Sequence, residues 1–112
     1  MSDIVMKQND RRPYLDCVLQ DRDGPVDLTG ETVRFVMRSS DGTVVIDQTS
    51  TGSAVTVTDS TAGAVRYAWR AGDTATPGAY LAEWELTAGG ERETFPNDRP
   101  GLEVWIRPEQ ST

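Results

Sequence analysis

The chain has 112 residues, and its 18 acidic and 11 basic side chains give a formal net charge of −7. It contains one cysteine and no histidine, which excludes an intrachain disulfide and removes the commonest ligand of zinc sites and the commonest catalytic base. The acidic balance argues against nucleic acid as a partner. The longest apolar run, residues 79–82, is far too short to cross a membrane. We therefore expect one soluble domain over residues 1–112, with no export signal.

Apolar and polar residues alternate with a period of two along most of the chain, and helical periodicity is absent. Turn residues interrupt the alternation, most clearly Asp41-Gly42 and the segments 60–63, 76–78 and 88–90. Residues 108–112 are expected to form a loose tail. The predicted strands cover residues 4–7, 14–20, 32–38, 44–49, 54–58, 64–69, 79–87, 91–95 and 102–107.

Each predicted strand has one apolar and one polar face, because successive side chains of a strand point to opposite sides. Two such sheets with their apolar faces together predict an all-β fold, a single immunoglobulin-like antiparallel β-sandwich. Tyr80 follows a turn at a strand start, where such sandwiches place a tyrosine whose hydroxyl bonds back to the turn; a purely packed tyrosine is the alternative. On the same analogy Cys17 is a buried reduced thiol that faces the small residue Ala82.

The segment from Gln20 to Arg38 begins with three carboxylates, those of Asp21, Asp23 and Asp27. An EF-hand calcium loop would need glycine at its sixth position and glutamate at its twelfth, whereas a loop counted from Asp21 has glycine at the fourth position and threonine at the twelfth. We interpret residues 23–25, Asp-Gly-Pro, as a reverse turn in which aspartate bonds to the backbone two residues on and the proline blocks ladder pairing. A calcium site gathered from several loops is the alternative.

No group of residues predicts catalysis, a metal centre or a cofactor. Glu83 and Glu85 share a strand face that the alternation assigns to solvent, and Cys17 has no histidine to activate it. We therefore expect no enzymatic activity and no small-molecule substrate.

Three apolar residues occupy positions that the alternation assigns to the polar face: Val36, Leu81 and Trp105. Either these strands are covered on both faces, or the three side chains form an exposed patch for a neighbouring protein. Trp105 is the strongest of the three, since tryptophan is enriched at the centres of interfaces. If the alternation assigns the two faces of this strand the wrong way round, Trp105 is instead a core residue.

The segment QNDRRPYLDCVLQDRDGPVDLTGETVRFVMR, residues 8–38, resembles the N-terminal domain of phage baseplate upper proteins and related tail proteins. Segments 63–69, 73–86 and 93–98 are also similar to that family. Asn9 stands where the family often has glycine, which predicts a left-handed backbone there. The matching residues of the first segment are Asp10, Pro13, Leu15, Leu19, Asp21, Asp23, Gly24, Pro25, Val26, Asp27, Leu28, Thr29, Gly30, Val33, Phe35 and Met37.

The resemblance implies a structural protein of a tailed-phage virion, assembled in the host cytoplasm. Its partners would be other virion proteins, in a symmetric homo-oligomer or ring. Because proteins of that family continue past this domain, the position stays open among the tail or baseplate, the head-to-tail junction and the capsid surface.

A carbohydrate-binding module for attachment to the host surface is the alternative function. Aromatic rings stack on sugars, and the acidic loop would hold calcium beside them. Four of the five candidate rings fall in the core phase, which leaves Trp105; the five are Tyr67, Trp69, Tyr80, Trp84 and Trp105.

Overall fold

The alternation produces strands at every predicted place. A computed structural model describes residues 3–96 and 101–109 and is all-β, with no helix in these ranges and therefore none that could span a membrane. The strands of this part are β1 Ile4–Lys7, β2 Leu15–Val18, β3 Gln20–Asp21, β4 Gly24–Pro25, β5 Thr32–Ser39, β6 Val44–Thr49, β7 Val55–Asp59, β8 Ala64–Tyr67, β9 Gly78–Ala88, β10 Glu91–Phe95 and β11 Leu102–Arg107.

The larger sheet has the strand order β1-β11-β9-β5-β6. The long strand β9 pairs with β5 along one edge and with both β11 and β10 along the other. All these pairs are antiparallel except β1 with β11, which is parallel. The prediction of a purely antiparallel arrangement is therefore wrong at this edge, where the intervening chain supplies the long connection that a parallel pair needs.

The smaller sheet has the order β2-β8-β7, and β3 and β4 form a short separate ribbon. Apolar residues of both sheets belong to a single buried cluster. Phe35 of β5 stacks on Tyr67 of β8 with ring centroids 4.5 Å apart, and Trp69 and Trp84 surround the Phe35 ring. Aromatic packing thus joins the two sheets through one core.

The predicted hydrogen bond of Tyr80 is confirmed: its hydroxyl donates to the carbonyl oxygen of Thr76 at 2.6 Å. A second tyrosine, Tyr67, forms a similar hydrogen bond that was not predicted from the sequence. The Tyr67 hydroxyl donates to the carboxylate of Asp73, which also accepts the backbone N–H of Arg70 at 2.7 Å. Burial and then the Asp73 carboxylate raise the pKa of Tyr67. Both tyrosines tie the segment before β9 to the core.

Two backbone predictions are also confirmed. Asn9 has a φ of 69°, in the left-handed region that asparagine tolerates better than most residues. The predicted Asp41-Gly42 hairpin joins β5 to β6, with Gly42 at a φ of 90° and Ser39 N–H donating to the Thr43 carbonyl at 2.9 Å.

The Asp41 carboxylate organises this hairpin. It accepts the hydroxyl of Ser39 and, at 3.0 Å, the backbone N–H of Thr43. These bonds favour the charged form and lower the pKa of Asp41 to about 2, the Ser39 bond contributing most.

This pKa predicts how acid affects the hairpin. A carboxyl group whose pKa is lower in the folded chain stabilises the fold above its unfolded pKa of 3.8, and that stabilisation is lost as the pH falls towards 2. We expect Asp41→Asn to flatten the fall in unfolding free energy over this window. Urea denaturation at a series of pH values measures it; an unchanged slope would contradict the assigned bonds.

The predicted loose tail begins with residues that are held. The backbone N–H of Glu109 donates to the Gln8 side-chain oxygen at 3.4 Å, and Asn9 Nδ2 donates to the Glu109 carboxylate at 3.3 Å. Residues 110–112 lie outside the described part of the chain.

Candidate protein interface

In the acidic loop of residues 21–27, two aspartates accept hydrogen bonds from residues two positions further along the chain. Asp21 Oδ1 accepts the backbone N–H of Asp23 at 2.8 Å, and Asp27 Oδ1 accepts the N–H and hydroxyl of Thr29 at 2.9 and 2.6 Å. The two bonds with Thr29 lower the pKa of Asp27. Within residues 3–96 and 101–109, no three acidic or cysteine side chains are grouped closely enough to hold a metal ion.

The predicted turn at residues 23–25 is misplaced. Gly24 and Pro25 form β4, which pairs with Gln20 and Asp21, so the chain reverses one step earlier. The reason is chemical: Pro25 has no backbone N–H that could donate to the Asp23 carboxylate, whereas the backbone N–H of Asp23 donates to Asp21. The aspartate turn is present, with Asp21 as its acceptor.

Cys17, which was expected to be buried, is only partly buried where it packs against the core, and its side chain lies close to Trp84. Burial raises the pKa of the thiol, which outweighs the opposite effect of the Trp84 indole. Trp84 Nε1 has no hydrogen-bond partner of good geometry among the described residues, so we interpret its contact with the sulfur as weakly electrostatic. A thiol with a raised pKa is a poor nucleophile.

The outer face of the larger sheet, turned away from the core, has one half covered by ion pairs. Arg34 binds Asp47 through two bonds of 2.7 Å and reaches Glu85 at 3.2 Å. Arg38 reaches Glu83 at 3.3 Å. The predicted surface carboxylates Glu83 and Glu85 thus serve as partners for arginines across β5 and β9.

Val36 lies beneath these ion pairs. Its cross-strand neighbours are Asp47 and Glu83, and Arg34 and Arg38 flank it on β5. It is only 1% exposed although it lies outside the core cluster. The placement of Val36 in an exposed patch is therefore wrong, because the aliphatic stems of long charged side chains can cover an apolar neighbour.

The other half of the outer face is apolar and open. Val5, Trp105 and Ala79 lie opposite one another on β1, β11 and β9, and Leu81 is the next outward residue of β9. Val5, Leu81 and Trp105 are 55%, 43% and 42% exposed. We call Val5, Ala79, Leu81 and Trp105 the outer patch. The assignment of Trp105 to the outward face of its strand is thus confirmed, and the structure brings Leu81 and Trp105 together.

The outer patch has the anatomy of an interface. A shallow groove between Leu81 and Trp105 is also lined by Ser40 and Glu103. Glu103 and Arg38 lie on either side of Leu81 in the sheet register, so charged groups border the apolar centre. An apolar centre with a polar rim is typical of surfaces that bind another protein.

Val5 was missed as a member of this patch. It stands between Ile4 and Met6, an apolar run that resembles Val104-Trp105-Ile106 and carries the same signal.

No protein-family model matches this sequence, and no curated protein matches it.

Proposed function

We propose that this protein is a non-enzymatic structural component of a tailed-phage virion and that it acts through protein–protein assembly contacts. The observation that carries the proposal is the outer patch, where Val5, Leu81 and Trp105 lie side by side in solvent. Isolated exposed apolar residues are common on proteins, but a contiguous group with a charged rim marks a site of interaction.

The segment that resembles the phage family supports a structural function. The polar residues of this segment act on the backbone: Asp21 and Asp27 each hold a turn, and Asn9 supplies a left-handed residue. Gly24 and Gly30 have φ values of 110° and 74°, which favour glycine. The motif therefore shapes the connections between strands and offers no reactive group.

The finer fold that we propose is an immunoglobulin-like β-sandwich. Two features support it: both sheets share one core, and Tyr80 bonds back to the preceding turn as a tyrosine does in such domains. The parallel pair of β1 and β11 is a departure from a purely antiparallel sandwich.

In a virion we expect the partners of the outer patch to be neighbouring virion proteins, including further copies of this chain in a symmetric ring. In a ring of identical copies, each contact joins two different surfaces of adjacent copies. The ring closes when a whole number of rotations from one copy to the next completes one full turn. The tail or baseplate, the head-to-tail junction and the capsid surface are all compatible with a ring.

Mass spectrometry of purified particles tests the proposal. Cells that produce this protein together with phage particles should yield intact particles that contain the chain in a fixed copy number relative to the major structural proteins. Absence of the chain from intact particles, or an amount that declines with each purification step, would contradict it.

A carbohydrate-binding module is the second candidate, favoured by the exposure of Trp105 in a groove. Tyr67, Trp69, Tyr80 and Trp84 are buried and cannot stack on a sugar, so one ring remains of the five. A glycan array with and without calcium distinguishes the two: specific binding that Trp105→Ala removes would favour the module, and no binding would favour assembly.

A further inference from the structure

A second surface, separate from the outer patch, gathers positive charge around one tyrosine. Tyr14 lies just before β2 and is exposed. The guanidinium carbons of Arg12 and Arg66 are 5.9 and 5.1 Å from the centroid of its ring. Arg11, Arg12 and Tyr14 also line a shallow pocket whose floor includes Trp69. We call Arg11, Arg12, Arg66 and Tyr14 the arginine cluster.

The buried Trp69 fixes one part of the arginine cluster, namely Arg11 and the adjoining backbone of Pro13. Trp69 Nε1 donates to the carbonyl oxygen of Pro13 at 3.1 Å, and Arg11 Nε donates to the carbonyl oxygen of Trp69 at 3.1 Å. These bonds join the segment before β2 to the segment after β8. Groups that are fixed in advance lose less conformational freedom when they bind a ligand.

The charges of the arginine cluster are only partly neutralised. Arg66 pairs with Asp16 through contacts of 2.7 and 3.3 Å. In the part of the chain that the structure describes, Arg11 and Arg12 have no carboxylate partner. The cluster is thus a local excess of positive charge on a chain whose net charge is −7, and it would attract an anionic ligand.

We propose that the arginine cluster binds a carboxylate-rich peptide segment of a neighbouring protein. A guanidinium group matches a carboxylate with two parallel hydrogen bonds. Arg11 and Arg12, which have no carboxylate partner among the described residues, offer two places for carboxylates, and the exposed Tyr14 ring beside Arg12 can contact the methylene groups between them. The overall negative charge disfavours nucleic acid as the anion.

This proposal rests on the proposed function only for the kind of partner, since it concerns a different surface and is tested without particles. The probes are hexaglutamate, with hexaglutamine as the uncharged peptide and inorganic phosphate as the small anion. Isothermal titration calorimetry at low and physiological salt gives affinity, and amide chemical shifts of the ¹⁵N-labelled chain locate the site. We expect hexaglutamate to be the one probe of the three that binds, with amide shifts at residues 11, 12, 14 and 66–69.

Two variants test whether the binding of hexaglutamate depends on the arginine cluster. Arg12→Gln should weaken hexaglutamate binding by about tenfold, because it removes a charged partner at the site. Arg22→Gln removes another exposed arginine, from the loop between β3 and β4, and should leave binding unchanged. Equal weakening by both variants, binding of phosphate alone, or no binding of hexaglutamate would overturn the proposal. None of these results would bear on the outer patch.

Discussion

Replacing Gly63 by alanine is expected to lower the free energy of unfolding by roughly 2–5 kcal/mol, the sum of a left-handed backbone penalty and overpacking. Gly63 has a φ of 69°, and a Cβ there would lie 2.7 Å from the Leu19 carbonyl oxygen and 2.9 Å from that of Val26. These backbone atoms cannot withdraw freely, because Leu19 N–H donates to the Gly63 carbonyl at 2.8 Å and Val26 N–H to the Leu19 carbonyl at 2.9 Å. Urea denaturation measures the loss.

Gly30→Ala is the matched control for this substitution. Gly30 has a similar φ of 74°, but a Cβ there would meet no atom within 4 Å. We expect it to lose only the backbone penalty of about 1–2 kcal/mol. Equal losses in the two variants would show that the loop before β5 does not pack against the turn at Gly63 as described.

The second large effect concerns the outer patch. A variant that combines Leu81→Thr with Trp105→Thr is expected to fold normally and to be lost from particles. Threonine favours strands, and both side chains are partly exposed, so the stability should change little. Removal of a tryptophan from the centre of an interface costs about 2–4 kcal/mol, which corresponds to a 30- to 1,000-fold weaker contact. Quantitative mass spectrometry of purified particles measures the incorporation.

Val18→Thr controls for the loss of an exposed apolar residue as such. Val18 is 48% exposed on β2 of the smaller sheet, away from the outer patch. This variant should enter particles at the level of the unmodified chain. Normal incorporation of the double variant, with its folding verified by circular dichroism, would remove the outer patch from the proposed function.

Local patterning was enough to place most strands. The bounds of β1, β6, β10 and β11 agree with the prediction, because turn-forming or polar residues stand on both sides of each strand. The ribbon of β3 and β4 was missed, since strands of two residues have no alternation to detect and β4 consists of glycine and proline. The parallel pairing of β1 with β11 was missed as well, because strand order is decided by contacts between distant segments.

The outer face of the larger sheet shows which exposed residues can be predicted from a single sequence and which cannot. Leu81 and Trp105 were identified because apolar residues interrupt a polar phase, and Val5 carries the same signal. Val36 carries it too, yet it is covered, because the register of β5 with β6 and β9 sets arginine–carboxylate pairs around it. Cover of this kind depends on neighbours in space, as does the meeting of Arg12 and Arg66 at Tyr14.

The most direct test of the central claim asks what the outer patch touches. A photoreactive phenylalanine analogue replaces Trp105 in one variant and Val18 in another, and particles are irradiated after they assemble. The proposed function predicts that position 105 forms a cross-link to one defined virion protein, or to a second copy of this chain, and that position 18 does not. If position 105 in assembled particles forms no cross-link, or reacts as diffusely as position 18, the claim that this protein assembles through its outer patch is contradicted.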